Sequence, residues 1–188
     1  MKVAEITPIL DQIFNSGQID QASEDTWQVK QENLRLLVIL SEDHSWLRIL
    51  VPIVPLTEAQ PFLTQLLTAN FEDTQEVRYA IEQDVLWGVF FHRLESLTTD
   101  DFCSAIALLI SLKEKGLSNS FQQLVEQRVR QIIKAAKLQG QSLEATFKTL
   151  ERYYQEGMLG GVDQAPEERE QFLAAWKYQL ERLWSEVE

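Results

Sequence analysis

At 188 residues, 45% hydrophobic and 10% aromatic, the chain has apolar material for one good core and a small second subdomain. Its 29 acidic against 17 basic side chains give a net charge of −12, which repels phosphate backbones and argues against a nucleic-acid partner. The longest apolar runs, Leu36 to Leu40 and Ile49 to Leu56, fall well short of the roughly 20 residues of a membrane helix, so no membrane partner is expected.

In chain order, Ile6, Ile9, Leu10, Ile13 and Phe14 repeat at helical spacing and predict a helix from Glu5 to Ser16, with Thr7 as N-cap, Pro8 in the first turn and Gly17 as the stop. Pro8 and two acids interrupt what a secretory leader would keep apolar, so the expected location is the cytoplasm. After a polar stretch, Trp27 to Lys30 alternates as a strand, and Glu32-Asn33 turns the chain. Leu34 to Leu40 and Trp46 to Val54, separated by Glu42, Asp43, His44 and Ser45, predict a β-hairpin. Pro52 and Pro55 limit pairing at its far end, which suggests a sheet edge there.

Register follows from energy. If Ser41 opposes Trp46, then Leu34, Leu36, Val38, Leu40, Leu47, Ile49, Val51 and Ile53 share one apolar face. Arg35 and Arg48 then share the other face with Leu37, Ile39, Trp46 and Leu50, whereas a slip of one residue would bury an arginine at a cost of several kcal/mol, about 2–7 for even a neutral polar group. The pair Val77 to Glu82 and Val85 to Leu94, joined at Gln83-Asp84, behaves alike. Val77, Tyr79, Ile81, Leu86, Gly88 and Phe90 form its core face; Arg78, Ala80, Glu82, Val85, Trp87, Val89, Phe91 and Arg93 form the other.

Between the hairpins, Thr57 to Asn70 reads as a helix with a Thr57/Gln60 capping box and a buried stripe of Phe62, Leu63, Leu66 and Leu67. Thr99 opens a helix, ending near Gly116, whose Phe102, Ala105, Ile106, Leu108, Leu109, Ile110 and Leu112 leave few polar sides. Cys103, the single cysteine, lies within that pattern and reads as a structural thiol. Three amphipathic helices follow over 118–138, 142–156 and 166–184, the second with Phe147, Leu150, Tyr153 and Tyr154 and the third with Phe172, Trp176, Leu180 and Leu183. Met158 to Val162 reads as the flexible linker, and Pro166-Glu167-Glu168 as the start of the last helix. The expected fold is therefore α+β, an antiparallel sheet in the order α-β-β-β-α-β-β-α over 1–116, with a helical extension over 117–188.

Residues 5–116, carried by the Leu34–Leu40 and Trp46–Val54 hairpin, the Phe62–Leu67 helix, the Val77–Leu94 hairpin and the Phe102–Leu112 helix, resemble the type III secretion chaperones and the related YbjN-type bacterial domains. That resemblance, one of pattern over about 60% of the chain, implies small acidic dimers that hold a protein partner without catalysis. The helices beyond Gly116 depart from it.

No catalytic, metal or cofactor constellation is visible. His44 and His92 lack companions at ligand spacing, Gly160-Gly161 follows no strand, and Asp100-Asp101 suit a helix N-terminus. The candidate partner-binding residues are Leu37, Ile39, Trp46, Leu50, Trp87, Val89 and Phe91, rimmed by Arg35, Arg48, Arg78 and Arg93. A second candidate is the basic stripe Arg130, Lys134 and Lys137, opposite Val129, Ile132, Ile133 and Ala136, which is either a solvated face or a landing site for an acidic segment. The apolar sheet face could equally be a homodimer interface or be covered by the C-terminal helices. A small-ligand pocket between sheet and helices is a third reading.

Overall fold

The computed structural model describes residues 1–14, 16–156 and 166–187, and the chain divides into two compact units, Met1–Phe121 and Gln122–Glu188. The linker expected at Met158–Val162 lies outside the described residues, as do the side chains of Tyr154 and Phe172.

The first unit is α+β, as its alternation of periods predicts. Helix α1 (Val3–Ile13) leads to strands β1 (Ile19–Ser23), β2 (Thr26–Lys30), β3 (Arg35–Leu40) and β4 (Trp46–Pro55). Helices α2 (Leu56–Ala59) and α3 (Leu63–Glu72) precede strands β5 (Arg78–Glu82) and β6 (Val85–Arg93), and α4 (Thr99–Lys115) follows. One antiparallel sheet results, in the order β1-β2-β3-β4-β6-β5. It has one strand more than expected: β1 carries a single large apolar residue, Ile19, beside Ala22, and a register shift between Gln21 and Ser23, so its composition reads as loop.

Both hairpin registers are as argued, but Ile81, expected in the core of the second, is 47% exposed near the end of edge strand β5. Leu40 pairs with Leu47 and Val38 with Ile49; Glu82 pairs with Val85 and Tyr79 with Gly88. The inner face places Leu36, Val38, Leu47, Ile49 and Val51 out of contact with water, under α1 and α4. At Gly88 a side chain would meet Leu109 Cδ2 at 3.0 Å, so the missing Cβ lets α4 settle directly on β6. Thr98 caps α4 by accepting from the Asp101 amide at 3.1 Å, and Gly116, at φ 51°, ends it.

Three further expectations change. Helix α1 starts at Val3, not near Thr7: the Glu5 carboxylate accepts the Lys2 N–H at 2.6 Å, and Pro8 lies within the helix. Thr7 instead accepts a 2.8 Å bond from the indole of buried Trp27. Strand β4 is central, although its pairing with β3 stops at Leu37–Leu50; Pro52 to Pro55 continue against β6 alone, with a bulge between Pro52 and Val54. The expected Thr57–Asn70 helix is broken by a 3₁₀ turn over Gln60–Phe62, at Pro61, and its cap is Pro55 rather than Thr57. That turn shifts the helical phase, so Leu66 is buried while Leu67 is 67% exposed and Phe71 91% exposed.

Helix α5 (Ser118–Leu138) belongs from Gln122 onward to the second unit, where with α6 (Leu143–Gln155), α7 (Pro166–Trp184) and Val187 beyond it a core forms from Val129, Ile133, Leu150, Leu180, Leu183 and Val187.

Candidate partner-binding face

Alternation along β3, β4 and β6 turns every second residue away from the α1/α4 layer, and these outward positions carry the predicted apolar set. Leu37, Ile39, Leu50, Trp87 and Val89 are half-buried there, while Trp46 and Phe91 are 42% and 52% exposed. The pairings bring them together: Leu37 opposes Leu50, which opposes Val89, and Ile39 opposes Arg48, which opposes Phe91. Burial of this kind leaves ring and methyl surface accessible, an apolar patch that a purely solvent-facing surface rarely presents.

The arginines behave in three ways. Arg48 and Arg93 lie over the rings of their cross-strand partners, Phe91 and Trp46, each with its guanidinium carbon 5.5 Å from the ring centroid. At exposed sites such stacks contribute about 0.5–1 kcal/mol each. Arg35, also exposed, opposes Lys30, which reaches Asp20 on the edge strand at 3.7 Å. Arg78 is turned away from the patch. Its guanidinium donates to the carbonyls of Gln75 and Val77 and to the Thr74 hydroxyl, closing the loop before β5. Trp87 is likewise anchored, donating to the Glu82 carbonyl at 3.1 Å.

The charge pattern of this face is sharper than its apolar content. Strands β3, β4 and β6 contain no aspartate or glutamate, although the chain has 29. Acids on the outward side belong to the edge strands, Asp20 on β1 and Glu82 on β5.

The basic stripe of α5 is engaged within its own unit. Arg130 donates to Glu126 at 2.9 Å and to Glu186 at 2.6 Å, Arg182 also binds Glu126 at 2.7 Å, and Lys137 donates to the Val187 carbonyl beside the Trp184 ring. These bonds hold the Glu126 carboxyl below, and the Arg130 guanidinium above, their ordinary pKa values, with the Arg182 and Glu126 hydrogen bonds respectively as the largest cause. Lys134 remains exposed.

Several features escape local sequence patterns. His44, at φ 54°, meets Asp25 at 2.6 Å, joining the β3–β4 turn to the β1–β2 turn. Asn70 of α3 bonds both the N–H and the carbonyl of Tyr79, occupying the open side of edge strand β5 where another strand could otherwise add. Where β3 and β4 part, a cleft of about 450 Å³ is lined by Leu34, Arg35, Pro52, Pro55 and Lys113, with the Lys113 ammonium bonded to the bulge carbonyl of Ile53 at 2.8 Å. His92 stacks on Phe90 and bonds the Arg93 carbonyl. The Cys103 thiol is pushed above its usual pKa by burial, then by Asp100. No described helix is long and apolar enough to cross a membrane.

No protein-family model and no curated protein matches the chain. Among solved structures it is similar to the ExsC–ExsE complex, at 13% identity over 60% of this chain and 90% of that one, with a TM-score of 0.45. The Yersinia pestis type III secretion chaperone SycH, solved with a fragment of YscM2, matches at 10% identity over 61% of this chain and 99% of that one, at 0.48. YbjN from E. coli matches at 12% identity, over 68% and 94%, at 0.40. The resemblance is one of pattern. It covers about the share of the chain that the element order marked out.

Proposed function

We propose that this chain is a non-catalytic protein-binding module whose binding surface is the outward face of β3, β4 and β6. The observation that carries this reading is the exposed Trp46 and Phe91 pair, each overlaid by an arginine, on strands free of acidic residues. Aromatic and arginine side chains supply most of the affinity in protein interfaces because they bury large areas at little conformational cost. Half-buried Leu37, Ile39, Leu50, Trp87 and Val89 would then exclude water around them. A photo-crosslinking amino acid at Val89, in cells of the source organism, is expected to trap a second polypeptide. The yield should fall when Trp46 and Phe91 are both changed to glutamate in a chain that still folds. Crosslinks equal to those from an exposed site on α5 would overturn the reading.

Self-association is a second reading, and it has its own observation on a different surface. From Leu63 to Phe71 helix α3 has no charged residue, yet it exposes Leu67 and Phe71. Two copies of a chain of net charge −12 meet with least repulsion over such a neutral stripe. Light scattering should then report a dimer for the full chain and a monomer for Leu67→Glu/Phe71→Glu.

A further inference from the structure

The arginines and aromatics at the centre of the outward face form a checkerboard. Trp46 opposes Arg93 and Arg48 opposes Phe91, with Trp46 and Arg48 two residues apart on β4 and Phe91 and Arg93 two apart on β6. The two arginines therefore occupy one diagonal and the two rings the other. Diagonal neighbours on adjacent strands stand about 7–8 Å apart. Each guanidinium lies over the ring opposite it, which restrains the head group before any partner arrives.

Two surfaces of like charge do not pair well. A twofold contact through this face would gather four arginines, Arg48 and Arg93 of each copy, into one interface with no acid on β3, β4 or β6 to offset them. A nucleic-acid strand would gain the arginines and the stacking rings, but it would approach a chain of net charge −12 with Asp20 and Glu82 at the margins of the same face. A protein segment with local acids avoids both penalties, because only its carboxylates need to meet the arginines while its apolar side chains cover Trp46 and Phe91.

Resting on the module reading above, we infer that the partner segment presents two carboxylates about 7 Å apart, one for Arg48 and one for Arg93, with apolar side chains beyond them. In an extended chain that spacing belongs to residues two positions apart, at about 3.3 Å per residue. Each guanidinium can donate paired N–H bonds to a carboxylate without leaving the ring face.

The test uses the full chain and fluorescence anisotropy. The probe is a fluorescein-labelled peptide with two glutamates two positions apart, a leucine two positions beyond each, and serines between. Binding is expected, weakening with salt, and at least about tenfold weaker for the same peptide with glutamines, as for exposed charge pairs that are screened by ions. Arg48→Glu/Arg93→Glu should lose the glutamate peptide and gain the version with lysines in place of the glutamates, a swap that a merely misfolded variant cannot produce. Equal binding of the glutamine peptide would overturn the acidic partner while leaving an apolar binding face. Binding of neither peptide would overturn this inference, and the crosslink from Val89 would then decide the module reading separately. Preferential binding of a twelve-nucleotide oligothymidylate, or a dimer in light scattering that Arg48→Glu/Arg93→Glu dissociates, would also overturn it.

Discussion

The two faces of the sheet are made by the same strands and obey the same alternation, yet they carry different physics. On the inner face Leu36, Leu47, Ile49 and Val51 lose all contact with water beneath α1 and α4, and no charge is present. On the outer face the side chains are as large, but Trp46 and Phe91 keep about half their surface and are overlaid by Arg93 and Arg48. Stability resides in the first arrangement, and the second is the one we propose for recognition. A face that is apolar but only half covered is a poor source of folding energy, since burial contributes in proportion to the area removed from water.

The largest effects should fall on the inner face. Ile49→Ala removes a fully buried side chain between β3 and β6 and is expected to cost about 2–5 kcal/mol in urea unfolding. Phe91→Ala, of larger volume but on the outer side, should cost under about 1 kcal/mol, within the range of surface changes and one lost cation–π stack. Equal losses at the two positions would mean that the outer face is as covered as the inner one, and the comparison would fail. Gly88→Ala sits between them. Its Cβ would press on Leu109 at 3.0 Å and should destabilise by about 1–3 kcal/mol, because the α4 layer has no room to retreat without opening the contacts to Ile53 and Leu112.

How far each face could be read in the sequence follows from the same contrast. The two registers were legible because a one-residue slip would have carried Arg35 or Arg48 in the first hairpin, or Arg78 or Arg93 in the second, into the core, so the inner face was strongly specified. Alternation assigns a residue to a side of the sheet, however, and says nothing of what lies over that side. It could not tell half-buried Trp87 from exposed Trp46, nor show that Arg78 folds back onto its own loop while Arg48 and Arg93 stack on rings. Contacts between distant segments were invisible for the same reason: His44 with Asp25, Asn70 with Tyr79, Lys113 with Ile53. Strand β1 was missed because an edge strand can satisfy its ladder with mostly polar side chains, and the phase of α3 because a proline-induced 3₁₀ turn resets a period that local spacing assumes is continuous.

The turns that set the second face can be sharpened. Gln83 and Asp84, at φ 49° and 59°, both occupy the left-handed region in the two-residue connection between β5 and β6. Side chains other than glycine and asparagine pay for that conformation, so Gln83→Asn/Asp84→Gly should raise stability by about 1 kcal/mol without moving any outward residue. A change in peptide or partner binding in that variant would show that the hairpin's position, and not only its chemistry, shapes the outer face.

The smallest effect belongs to the opposite turn. Asp43 is held by the Ser41 hydroxyl and by the hydroxyl and amide of Ser45, at 2.6–3.1 Å, and its pKa is lowered to about 2, with Ser41 as the largest cause. A carboxylate whose folded pKa is depressed contributes stability that is complete above its unfolded value, near 3.8, and is lost as the pH falls towards 2. The group is fully exposed, so its effect on the whole fold is small, but its titration is a local readout of the β3–β4 turn. A carbon-detected NMR titration should place the Asp43 midpoint near 2 in the native protein and near the ordinary carboxylate range in Ser41→Ala/Ser45→Ala. Trp46 follows this turn directly and its amide bonds the Ser41 hydroxyl at 2.9 Å, so the same titration should shift the Trp46 amide signal. An unmoved Trp46 amide would mean that the aromatic end of the outer face is positioned by the sheet alone, with the serine and aspartate cluster serving only its own loop.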